Sequence, residues 1–165
     1  MSFPLALRIV LKNEGGKVDN PHDPGGRTNK GITNRVYRAW KKDPTADVFN
    51  ATDQEITDIY EAWYWKLAGC PFMAEPLATV AFDTAVNVGV AEFLKLYERA
   101  KEETGPGLAF FLLNQRQAFY AHLVEQEPVL NEFLSGWTKR VNRLRLYCED
   151  TAAQAGGYLP VLKAA

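Results

Sequence analysis

Apolar positions recur at helical spacing along almost the whole chain. From Phe3 to Glu14 no glycine intervenes, Pro4 lies where a helix start tolerates it, and Ser2 is placed to cap it. At roughly 100° per residue, Phe3, Leu7, Val10 and Glu14 fall on one stripe, with Gly15 or Gly16 as the terminator. Thr33 is an N-cap for a helix to about Lys42 that carries Val36, Tyr37 and Trp40 on one face. Thr52-Asp53-Gln54-Glu55 is a capping box, and Ile56, Ile59, Tyr60 and Trp63 continue at helical spacing toward Gly69. The aromatic stripe Tyr60, Trp63, Tyr64 and Trp65 reads first as core.

Further helices are predicted from Pro76 to Gly89, from Ala91 to about Glu103, and from Leu108 to about Gln126. The last of these is strongly apolar, with Phe111, Leu112, Phe119 and Leu123 facing inward, and is expected to run through the centre of its lobe. Pro128 opens a short helix that Ser135-Gly136 should break, and Trp137 to about Ala153 forms the final one. No sustained alternation of apolar and polar residues occurs, so at most a short hairpin is expected within residues 17 to 32. The fold class is mainly α, with a division near residue 70 into segments 1–70 and 71–165.

One window departs from the helical pattern. Residues 13 to 33 hold five glycines and two prolines, so they form neither a helix interior nor a strand interior. Glu14, Asp19 and Asp23 are spaced along this window. Glu14 stands where the apolar stripe of the first helix runs out. Apolar neighbours and the carbonyl end of a helix both disfavour an anion there, which suits a carboxyl group that keeps its proton until a leaving group needs it. A solvated helix end is the competing reading of Glu14, and spacing alone does not separate the two.

Composition narrows the partners. With 47% hydrophobic residues and 12% aromatics the chain can bury a core, which excludes disorder. The net charge of −1 disfavours nucleic acid, which calls for a basic excess on one face. The one basic cluster, Lys139, Arg140, Arg143 and Arg145, reads as a solvated helix face. Cys70 and Cys148 form neither a disulfide framework nor a zinc spacing, and buried free thiols are expected. Phe3 to Leu11 is too short to span a bilayer and Arg8 interrupts it, so neither stable membrane insertion nor a standard export signal is expected.

The chemistry follows from the carboxylates. Glycoside hydrolysis needs a protonated acid at the leaving oxygen and a second group that positions water or stabilises the cationic sugar. Glu14 fits the first role. Asp23, in a polar turn near Asn20, Arg27 and Thr28, would stay ionised, and Thr28 could orient a water beside it. An ordinary Asp-Pro-Gly turn is the simpler reading of Asp23 by itself. Asp83 and Asn87, four residues apart on an apolar helix, are either satisfied internally or face a cleft. With Asn20 they are the candidate substrate contacts. No metal site and no cofactor are indicated, since Asp19, His22 and Asp23 lack the regular oxygen spacing of a calcium loop.

Several of these residues form a pattern. Glu14-Gly15-Gly16, Asn20-Pro21, Asp23-x-Gly25-Gly26-x-Thr28 and Gly31-Ile32-Thr33 resemble the signature of the glycoside hydrolase family 108 N-acetylmuramidases, found as phage endolysins and bacterial muramidases. Phe82-Asp83-x-Ala85-Val86-Asn87-x-Gly89 and Gly136-Trp137-x-x-Arg140-Val141 resemble the helical module, of predicted peptidoglycan-binding type, that accompanies this family. The resemblance implies a lysozyme-like, two-lobed helical fold. It also implies Glu14 as catalytic acid with Asp23 and Thr28 as partners, peptidoglycan glycan strands as substrate, and a monomer. Such an enzyme would be made in the bacterial cytoplasm and would act in the periplasm or wall after holin-type or dedicated release. A lytic transglycosylase, which needs the acid alone, and a non-catalytic peptidoglycan-binding protein are the alternatives.

Overall fold

A computed structural model describes residues 3–19, 26–101 and 107–154. The expected Ser2 cap, the end of the helix at Glu103, and Asn20 and Asp23 lie outside the described residues. The chain divides into two compact units, Ser2–Leu67 and Ala68–Ala165. The architecture is mainly α-helical with one small open sheet. No helix among the described residues is long and apolar enough to cross a membrane.

In the first unit, helix α1 (Phe3–Leu11) buries Ala6, Leu7 and Val10. Strands β1 (Lys17–Asp19), β2 (Arg27–Asn29) and β3 (Ile32–Thr33) form an antiparallel sheet in the order β1-β2-β3. The expected hairpin therefore carries a third strand. Thr33 caps α2 (Asn34–Lys41) by accepting the Val36 amide, and Lys42 closes it in a left-handed conformation. The Thr52–Glu55 capping box starts α3 (Asp53–Tyr60), whose Ile56, Ile59 and Tyr60 are buried. Helical winding then widens to a π-helix over Glu61–Trp65. The core of this unit combines Val10, Ile32, Val48, Ile56 and Ile59, each contributing roughly 1.5–3 kcal/mol when removed from water.

In the second unit, α4 (Leu77–Val88) packs on α5 (Val90–Lys101) and α6 (Leu108–Gln126), and α6 packs on α7 (Asn131–Gln154). Every residue of α4 from Ala78 to Ala85 is buried. As expected, α6 runs through the centre of the unit, packing on α4, α5 and α7; its Leu112 is buried, Phe111, Phe119 and Leu123 are half-buried, and Arg116 and Tyr120 are enclosed. Gly136 does not break the last helix, which runs unbroken from Asn131. A helical glycine costs about 1 kcal/mol. Stacking of Trp137 on Tyr120 (4.8 Å) and Phe133 (5.9 Å) offsets that cost and holds this segment helical. Cys70 and Cys148 are free and buried, and burial pushes both thiols up to about 12.

Candidate active site

The site is assembled in the first unit from the end of α1, the tip of the β2–β3 hairpin and the junction of α3 with its π-turn. The first helix stops at Leu11, not at Glu14. The Asn13 amide donates to the Val10 carbonyl at 2.8 Å and its side chain donates to Ile9 O at 3.4 Å, which closes the helix before the glycines are reached. Glu14 therefore sits in a bend beyond the helix, half-buried.

Its carboxyl group rests on the hairpin. Lys30 (φ 49°) and Gly31 (φ 80°) form the two-residue turn between β2 and β3, with both residues left-handed as a type I′ connection demands. A Cβ on Gly31 would lie 2.6 Å from Glu14 Oε2, 3.0 Å from Glu14 Cδ and 2.8 Å from the Tyr60 hydroxyl oxygen. Only a residue without a side chain leaves room for the acid there. Two hydrogen bonds set this contact. Lys30 N–H donates to Gly16 O at 3.3 Å, joining the hairpin tip to the loop that follows Glu14. The Tyr60 hydroxyl donates to Lys30 O at 2.6 Å, joining the same tip to the end of α3. The Lys30 ammonium also reaches Asp53 at 2.7 Å, so the tip is tied to both ends of α3.

Tyr64 completes this surrounding. Its ring lies 5.6 Å from that of Tyr60. Burial chiefly, and then the negative charge of Glu14, hold its phenol above the ordinary value, with Arg35 opposing. Tyr64 is accordingly a neutral hydroxyl within electrostatic reach of the carboxyl.

Thr28 occupies the middle of β2, paired with Val18 on one side and Thr33 on the other. Strand alternation puts Val18, Thr28 and Thr33 on one face of the sheet. The opposite face turns Asn29 and Ile32 into the core, where Asn29 Nδ2 donates to Val48 O at 3.1 Å. Thr28 itself is half-buried. Arg27, read from the sequence as a donor near Asp23, is held by Asp19 (2.8 Å) and Asp47 (2.6 Å) and lies over the Phe49 ring. Asp23 and Asn20 lie outside the described residues.

A groove of about 540 Å³ runs along α1 and α3, lined by Phe3, Leu7, Leu11, Lys12 and Asp58 among others. Glu14 is not among its lining residues.

In the second unit, Asp83 is completely buried. Arg116 Nη1 reaches its Oδ1 at 2.7 Å, and Arg140 Nε reaches Oδ1 at 2.8 Å and Oδ2 at 3.1 Å. Burial opposes ionisation of Asp83, but the two guanidinium groups together outweigh it and hold the carboxyl below its ordinary value. Arg116 Nε donates to the Tyr120 hydroxyl at 2.5 Å, and that hydroxyl in turn donates to Asn87 Oδ1. Of the two places that spacing left open, the structure shows the internal one for Asp83, while Asn87 is half-buried and accepts from the Tyr120 hydroxyl. Asp83 is a core residue and does not line a surface, because its charge is neutralised inside the unit. Arg140 likewise belongs to the interior, not to the solvated basic face expected of it.

Residues 7–89 match the model of the family described as Glycosyl hydrolase 108. The chain belongs to the glycosyl hydrolase 108 family. Among solved structures, the one titled "Structure of Brucella abortus SagA" is similar over 90% of this chain and 94% of that chain, with a TM-score of 0.73 and 28% sequence identity. No curated protein matches the sequence. Membership makes the chain an enzyme of the glycoside hydrolase type in general terms. The matched stretch contains Glu14, Thr28, Gly31, Tyr60, Tyr64 and Asp83, and it ends at Gly89, the residue that terminates α4.

The contacts around Glu14 are only partly legible in the sequence. Tyr60 is a core residue, as its place in the aromatic stripe implies, and Tyr64, four residues on, is half-buried on the same side. Gly31 was noticed as part of a pattern but not as the seat of the acid. Arg116, a single charge within the apolar run of α6, was the signal for a buried partner of Asp83.

Proposed function

We propose that this glycosyl hydrolase 108 member is an endo-acting N-acetylmuramidase that hydrolyses the β-1,4 bond between N-acetylmuramic acid and N-acetylglucosamine, for cell lysis or wall remodelling. The observation that carries the reading is the seat of Glu14. Its carboxyl lies against a side-chain-free backbone beside two tyrosines, and the match to the glycosyl hydrolase 108 model spans those residues. In the proposed reaction Glu14 donates its proton to the glycosidic oxygen as the C1–O bond breaks. Asp23 and Thr28 hold the water that attacks C1, and the Asp23 carboxylate takes the water's proton as its oxygen bonds to that carbon. The half-buried Tyr64 ring near the acid suits a sugar, whose C–H faces stack on aromatic rings. Asn20 remains a proposed glycan contact.

Mass spectrometry of purified peptidoglycan after digestion tests the proposal. Soluble muropeptides ending in reducing muramic acid are expected, and Glu14→Gln should release none while keeping its circular dichroism spectrum. Products with 1,6-anhydro ends would identify a lytic transglycosylase instead. Wall pull-down without any release would identify a binding protein.

A further inference from the structure

We propose that Tyr60 is a positioning residue for the acid, acting through the hairpin tip, and that Gly31 is the surface against which it sets the carboxyl. The inference rests on Glu14 being the proton donor. Tyr60 is completely enclosed and reaches across thirty residues of sequence to Lys30 O. In a purely packing role its ring alone would suffice, and a buried hydroxyl is retained only where it has a partner. Its partner here is the carbonyl of the peptide group that joins Lys30 to Gly31. The orientation of that peptide fixes where the Gly31 Cα stands, and the Glu14 carboxyl and the Tyr60 oxygen both converge on the point where a Cβ would project.

The rest of the seat is fastened to match. Lys30 N–H is bound to Gly16 O and the Lys30 ammonium to Asp53, so both peptide groups and the side chain of the turn are committed. A shift of the tip strains the buried Tyr60 bond along with these. A shift of the tip carries the acid with it, and proton transfer is sensitive to displacements of about 1 Å. The π-turn that begins immediately after Tyr60 sets the following ring, Tyr64, against it, and such turns are common at functional sites.

The test compares wild type, Tyr60→Phe and Glu14→Gln on two substrates. One is the natural glycan, whose leaving sugar must be protonated. The other is an oligosaccharide glycoside with an activated aryl group, which leaves without protonation. A positioning role predicts that Tyr60→Phe loses about 10- to 100-fold in kcat on the natural glycan with KM unchanged, and less than about threefold on the aryl glycoside. Gly31→Ala, which puts a methyl group 2.6 Å from Glu14 Oε2, should show the same split. Equal losses of Tyr60→Phe on both substrates, or no loss on either, would overturn the positioning role while leaving Glu14 as the acid. Retained activity of Glu14→Gln on the natural glycan would overturn the acid assignment itself. If Gly31→Ala proves unfolded by circular dichroism, Tyr60→Phe alone decides.

Discussion

Glu14 and Asp83 are both carboxylates that follow or interrupt apolar helical sequence, yet the two units treat them in opposite ways. Asp83 is enclosed on a helix buried all round, and two arginines surround its charge. Glu14 is half-buried beyond the end of a helix and leans on a glycine backbone beside a tyrosine hydroxyl. A carboxylate locked between two guanidinium groups is held as an anion and cannot serve as an acid. Removing one partner from a buried ionic cluster leaves an uncompensated charge, so the Asp83 network is tied to the integrity of the fold. The Glu14 seat is tied to geometry.

The sharpest way to test this contrast is to neutralise each group with its amide. Glu14→Gln should lower peptidoglycan hydrolysis by about 10²–10⁴-fold, with stability in urea changed by less than about 1 kcal/mol. Asp83→Asn should do the reverse. Urea denaturation should show a loss of about 3–5 kcal/mol from leaving Arg116 and Arg140 uncompensated, while the folded fraction keeps its KM. A raised KM in folded Asp83→Asn would instead return that residue to the substrate contacts.

Acid sharpens the same difference. The Asp83 carboxyl is held below its unfolded value of about 3.9, so its stabilisation is complete above that value and is lost as pH falls through the folded one. The stability gap between wild type and Asp83→Asn should therefore narrow as pH falls below about 4, as followed by urea midpoints. A gap that stays constant would show that the carboxylate charge is not what the arginines require. The smallest effect is expected at the start of α3. Thr52→Ala removes the capping box and should cost about 1 kcal/mol of stability with little change in activity, because the Tyr60 end of the helix is held separately. There Glu55, held by Lys41 first and then by the Thr52 amide, sits at about 2 and remains ionised throughout the working range.

Element boundaries set by neighbouring residues were legible in advance. The Thr33 cap, the Thr52–Glu55 box, the Lys42 stop and the Gly89 terminator each depend on backbone groups within four residues, so local chemistry decides them. Where a distant group intervened, the reading failed. Trp137 stacks on a ring in another helix, and this kept α7 intact through Gly136. Arg140 was read as solvated because its partner stands 57 residues away.

The sequence by itself determined a mainly helical chain and a glycine-rich window, headed by Glu14, that interrupts the helices, although that window also folds into the short strands β1, β2 and β3. These follow from side-chain periodicity and from the φ values that glycine and proline permit. Only the tertiary structure decided what surrounds each carboxylate. It brought Gly31 and Tyr60 to Glu14, and Arg116 and Arg140 to Asp83, across 33 and 57 residues of chain in the second case. The fate of a carboxyl proton depends on which charges, hydroxyls and backbone groups lie within a few ångströms, and chain order does not record that distance.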